Sequence, residues 1–123
     1  MPKVAVSPLT VVQEFQHAIG AGNLAEARKL LHDKISFWGP IDTFDTPEPY
    51  LESLKKLHPI VKRIDMHKIF ADGDDVCLFY DMVTNTAAGT ALIAEWFHVE
   101  GQKIASIRVV FDARPFAAMF EKK

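Results

Sequence analysis

The stretch that decides the fold is Glu95-Trp-Phe-His-Val-Glu-Gly-Gln-Lys-Ile-Ala-Ser-Ile-Arg-Val-Val-Phe-Asp112. Two apolar runs flank a short polar turn at Glu100, Gly101 and Gln102. Apolar strands joined by a glycine-bearing turn read as a β-hairpin. Alternation sorts its faces, because successive strand side chains point to opposite sides. Ile107, Val109 and Phe111 share one face of the last strand, and Ser106, Arg108, Val110 and Asp112 share the other. On the preceding strand Ile93, Glu95 and Phe97 form one set, and Trp96 and His98 form the other. A β-bulge would reverse these assignments beyond it.

Working outward from the hairpin, Val76 to Thr84 is a further strand, apolar on nearly every residue and so expected to be covered on both faces. Ile60 to Phe70 is another, with Asp72-Gly73-Asp74 as the turn between them and Asn85 to Thr90 as a loop. Upstream of Pro59 the period becomes helical. Ser7-Pro8 is an N-cap followed by proline in the first turn, and Leu9, Val12, Phe15, Ala18 and Ile19 follow at helical spacing up to Gly20 and Gly22. Asn23 with Glu26 forms a capping box for a second helix with the stripe Leu24, Ala27, Leu30 and Leu31. Ile35 to Trp38 reads as a short strand and Ile41 to Asp45 as a loop. Thr46-Pro47 opens a third helix carrying Tyr50, Leu51, Leu54 and Leu57, and Pro59 ends it. Helices gathered on one face of a mostly antiparallel sheet make an α+β domain.

The bulk properties fit one domain over residues 1–123, long enough to bury a core. A net charge of -2 favours neither nucleic acid nor an anionic membrane. No apolar run reaches the roughly 18 residues of a membrane span, and the N-terminus lacks signal-peptide character, so a cytoplasmic location is expected. Cys77 is single and lies in an apolar run, as a buried thiol would. The five histidines show no metal-ligand spacing, and there is no phosphate-binding glycine loop or Gly-x-Ser-x-Gly elbow, so neither metal nor cofactor is expected.

The order of elements, with Val11-Val12-Gln-Glu-Phe15, Ala21-Gly22-Asn23-Leu24, Trp38-Gly39-Pro40, Glu95-x-Phe97 and Gly101-x-Lys103-Ile104 leading to Phe111-Asp112, resembles the NTF2-like superfamily, including its SnoaL-like cyclase and ketosteroid isomerase branches. The resemblance covers about Ser7 to Asp112. It implies a cone of three N-terminal helices packed on a curved, mostly antiparallel sheet, an apolar pocket for a small hydrophobic molecule, and a homodimer through the outer sheet face, where Trp96 would lie. The motifs specify a fold more than an activity.

Laid on the isomerase branch, Phe15 stands where a tyrosine is needed, Gly39 at the base, and Ile93 at or beside the acid. Asp42, three residues past the missing base, would approach the mouth. Laid on the epoxide hydrolase branch, Asp81 stands for the base, but Phe79 replaces the arginine and Val109 the second aspartate. A SnoaL-like isomerisation, cyclisation or hydration asks less, since one pocket carboxylate can act as acid/base. Asp81 and Glu95 are the candidates. Tyr80 and its neighbour Asp81 point to opposite faces, so only one of the two faces inward. Phe15, Trp38, Asp42, Tyr80, Ile93, Phe97, Val109 and Phe111 are the expected ligand-binding residues. The sequence thus favours a binding domain, with a single-carboxylate enzyme as the alternative.

Overall fold

The computed structural model describes residues 6–117. Helix α1 spans Pro8–Gly20 and α2 spans Leu24–Lys29, each started by the side chain that the sequence offers. The Ser7 hydroxyl accepts from the Thr10 amide at 3.2 Å, and Asn23 Oδ1 accepts from the Glu26 amide at 3.2 Å. These bonds satisfy amides that the helix itself leaves unpaired. Gly22, at φ 73°, makes the reversal between the two helices, a conformation that side chains with a Cβ resist. Strand β1 spans Leu31–Trp38, β2 Thr43–Phe44, and α3 Pro47–Leu57. Strands β3 (Val61–Asp72), β4 (Asp75–Thr84), β5 (Thr90–Glu100) and β6 (Lys103–Val110) complete the chain order.

Three differences from the sequence reading have physical causes. β1 begins at Leu31, not Ile35, because Leu31 pairs with Ile104 of β6, which a helical stripe could not show. The loop at Ile41 to Asp45 contains β2, which folds back on the end of β1 through Phe37–Phe44 and Trp38–Thr43 pairs. The side chain of Thr46 makes no capping bond, leaving Pro47 to start α3.

Among the described residues six strands form one mixed sheet in the order β2-β1-β6-β5-β4-β3. Among the described residues only the β1–β6 pairing is parallel. α1 lies against β4, β5 and β6, and α3 against β1 and β2, while β3 takes its extensive contacts from β4. Thus two helices precede the sheet in sequence and the third is inserted after its first two strands. Between α1 and the sheet lie Phe15, Leu31, Ile35, Leu78, Phe97, Ile104 and Ile107, all fully buried. The Phe15 ring meets Phe97 edge-on at 6.2 Å. Among the described residues no helix is long and apolar enough to cross a membrane.

Candidate functional site

Alternation along β4 and β5 places the functional side chains. β4 buries Val76, Leu78, Tyr80, Met82 and Thr84, and half-exposes the residues between them. β5 buries Ala91, Ile93, Glu95, Phe97 and Val99. Glu95 is therefore a carboxylate on the helix-covered face, only 6% exposed. Tyr80 pairs in register with Ile93, and Glu95 with Leu78, so Tyr80 and Glu95 are diagonal neighbours across the ladder. Such neighbours are within reach of a tyrosine. The Tyr80 hydroxyl donates to Glu95 Oε1 at 2.7 Å.

Desolvation dominates the electrostatics of this pair. Burial pushes the Glu95 carboxyl up from 4.5 to about 7, against the opposing effect of the Tyr80 hydrogen bond. Burial first, then the charge of Glu95, pushes the Tyr80 phenol well above its ordinary value. The Tyr50 phenol on α3 is raised well above its ordinary value by the same two causes, and so belongs to the same electrostatic neighbourhood. Tyr50 is 2% exposed. Its ring stacks on Phe37 at 4.6 Å and on Phe15 at 6.4 Å. No sealed side-chain oxygen among the described residues lacks a hydrogen-bond partner. Among the described residues the second oxygen of Glu95 and the hydroxyl of Tyr50 make no hydrogen bond. A carboxyl near neutrality with a free oxygen can accept, donate or transfer a proton at ordinary pH.

The other expected residues divide between the two faces. Phe15, Ile93, Phe97 and Val109 are buried on the inner side. Phe111, half-buried, packs edge-on against Phe116 at 5.9 Å. Asp42 is exposed in the β1–β2 connection, where its carbonyl accepts from the Gly39 amide at 3.0 Å. Two placements differ from expectation. Asp81 faces outward, because β4 turns Tyr80 inward, and it lies 3.0 Å from His67 Nε2. Trp38, expected to line the interior, is 47% exposed on the outer face, since its neighbour Phe37 takes the inward position in β1. Tyr50 is a polar group that the sequence pattern does not single out. Its helical spacing with Leu51 and Leu54 is that of any buried stripe, and the packing of α3 on the sheet puts its phenol under the influence of the Glu95 charge.

The outer face carries its own arrangement. Phe70, Cys77, Trp96, Arg108 and Trp38 stand in register across β3, β4, β5, β6 and β1. The Arg108 guanidinium lies 5.8 Å from the Trp96 ring centre, a cation–π approach. A groove of about 270 Å³ runs here between Trp38, Phe79, Trp96, Arg108 and Val110, with Glu95 touching it as well. At one end Asp75 Oδ1 accepts from the Trp96 indole at 2.8 Å and meets His98 Nδ1 at 3.0 Å. His98 Nε2 is 3.2 Å from Glu100. Asp75, with these partners, is held below the usual carboxylate range, and His98 is raised, first by its bond to Asp75. Burial raises the Cys77 thiol, which is half-exposed rather than buried. Among the described residues no cluster of His, Cys, Asp and Glu could hold a metal ion.

Comparison with known proteins gives this geometry its relatives. A family model described as a SnoaL-like domain matches residues 12–107. An NTF2-like protein of unknown function from Cytophaga hutchinsonii is similar at 33% identity and TM-score 0.80, over 94% of this chain and 98% of that one. An NTF2-like protein from Burkholderia xenovorans shares the fold at 18% identity and TM-score 0.74, covering 93% and 95% of the two chains. So does an epoxide hydrolase of the LEH-like kind from M. tuberculosis, at 17% identity and TM-score 0.74, covering 88% and 84%. No functionally curated protein matches the chain.

Proposed function

We propose that this chain, which belongs to the SnoaL-like domain family, binds a small and mostly apolar molecule against the inner face of its sheet, with the Glu95–Tyr80 pair meeting the molecule's polar group. The observation that carries this reading is the 2.7 Å Tyr80–Glu95 bond inside a mostly apolar interior. Burying a carboxyl there costs stability unless it is fully satisfied, and one phenol leaves an oxygen over. A ligand hydroxyl or carbonyl would complete the set. The test is the ¹³C resonance of the Glu95 carboxyl during titration with a panel of apolar alcohols and ketones. At least one is expected to shift it, and a panel that leaves it unmoved overturns the reading.

A second reading is favoured by the position of Glu95 near neutrality. The carboxylate would take a proton from the carbon next to a ligand carbonyl, and the resulting acid would return it elsewhere, as an isomerase, cyclase or hydratase requires. Deuterium incorporation beside the carbonyl of an apolar ketone in heavy water, lost in Glu95→Gln, is the expected signature. Exchange no faster than in buffer removes this reading and leaves binding.

We also infer that the outer face pairs with a second copy of the chain. The support is the exposure of Trp38 and Trp96, 47% and 46%, in one row with Phe70 and Arg108. Exposed aromatics beside an arginine are what buried interface centres contain.

A further inference from the structure

The inner face of the sheet is not covered evenly. Where β4, β5 and β6 lie under α1, their inward residues are buried. β3 is the edge strand, and among the described residues no helix packs on it comparably. Its Ile64, Met66 and Ile69 pair with Met82, Tyr80 and Leu78, which all face inward, so these three share the inner face. Yet they are 43%, 41% and 37% exposed. Three large apolar side chains thus form an open margin directly beside Tyr80. The margin is continuous with the polar end of the site through two rows of the ladder, Met66–Tyr80–Ile93 and Ile69–Leu78–Glu95. At its inner end stands Glu95, whose second oxygen has no partner among the described residues, and the Tyr50 phenol, on the helix packed over β1 and stacked on Phe15, feels the Glu95 charge; both side chains are more than nine-tenths buried.

Resting on the binding reading above, we propose that the ligand is an elongated apolar molecule with one terminal oxygen, which Tyr50 and Glu95 hold while the apolar body runs out over Ile64, Met66 and Ile69. The oxygen accepts from the Tyr50 hydroxyl, and a hydroxyl at that place also donates to Glu95. Glu95 lies two strands in from β3, and strands are about 4.8 Å apart, so the body must cross about 10 Å to reach the edge. A chain of about eight carbons spans that distance. Molecules much shorter leave the margin bare, and those much longer extend into water and gain nothing further. Tyr50 sets the polar end of this specificity and Met66 the apolar end.

The experiment is a calorimetric titration of the full chain with primary n-alkanols from butanol to dodecanol. Affinity is expected to rise about fourfold per methylene up to about eight carbons and then level off. In an Ile64→Ser/Met66→Ser double variant the rise is expected to stop several carbons earlier. In Tyr50→Phe, which keeps the stacked ring, every member is expected to weaken by a similar factor of about three to ten. Affinity independent of chain length in the wild-type chain overturns the inference while leaving binding at Glu95 in place, and means that something else, a segment of this chain or a second copy, covers the margin. An unchanged slope in a folded double variant overturns it equally. If no alkanol binds and the Glu95 resonance is also silent to the ketones, the binding reading itself fails. The wild-type series decides even if the double variant does not fold.

Discussion

Replacing Glu95 with glutamine should remove a pH dependence that the wild-type fold carries. Glutamine has the size of glutamic acid, can still accept from the Tyr80 hydroxyl, and does not titrate. In the folded chain the Glu95 carboxyl titrates at about 7 against an ordinary 4.5. Between these values the folded state binds a proton that the unfolded state has lost, so stability falls as pH rises through the window. The full effect of neutral Glu95 is present below about pH 4.5 and is gone above about pH 7. The gap, at about 1.4 kcal/mol per pH unit, is worth about 3 kcal/mol, of which about 2.5 kcal/mol falls between pH 5 and pH 8. The group is buried, so solvent screening takes little from this figure. Other titrating groups, including five histidines, act alike on both proteins and cancel in the difference. Urea unfolding of wild type and Glu95→Gln at fixed protein concentration, at pH 5, 6, 7 and 8, measures it. Glutamine should gain on the wild type steadily up to pH 7, by a midpoint shift of about 1.7 M if the slope is about 1.5 kcal/mol/M. Stability curves that run parallel across this range would refute the argument, and would mean that Glu95 ionises in the folded chain as it does in water.

Other expectations test separate parts of the structure. Tyr80→Phe removes the bond that holds the Glu95 carboxyl down, so its ¹³C titration midpoint should move above about 7; a lower midpoint would contradict the hydrogen bond. Asp75→Asn should lower the imidazole midpoint of His98, since Asp75 is the first cause of its raised value, and should alter Trp96 fluorescence by weakening the indole's acceptor. Phe97→Ala, at a fully buried ring packed on Phe15, should cost about 3–5 kcal/mol in urea unfolding. Trp96→Glu should convert a dimer to a monomer by sedimentation at micromolar concentration, while a wild-type chain that sediments as a monomer would dispose of the outer-face pairing.

What the sequence made legible, and what it did not, follows from the range of the interactions involved. The closing hairpin announces itself because its information is local: Gly101 and Gln102 both take positive φ in the turn, and each strand's alternation continues from there. The single irregularity in that pairing, between His98 and Val99, falls next to the turn, so the face assignment of Ile93, Glu95, Phe97, Ile107 and Val109 survives it. Helix starts at Ser7 and Asn23 are legible for the same reason, the capping partner lying three residues away. β1 is different. Its pairing with β6 is parallel, and its partners lie about 70 residues on, so nothing near Leu31 signals the strand. The outward position of Trp38 has the same cause, because which of Phe37 and Trp38 faces inward depends on a register set by a distant strand. Glu95 shows both limits at once. Alternation put a carboxylate on an apolar face, which local pattern can do. Tyr80 donating to it required the ladder between β4 and β5, and the effect of its charge on Tyr50 required the packing of a helix across the sheet. Asp81 was the residue that a pattern of isolated charges made conspicuous, yet the same alternation that buries Tyr80 turns it to His67 and water. In a fold of this kind the conspicuous charge on a strand is therefore the weaker guide to the site. The charge whose parity matches the buried residues around it is the stronger one, and Glu95 meets that condition on both strands that flank it.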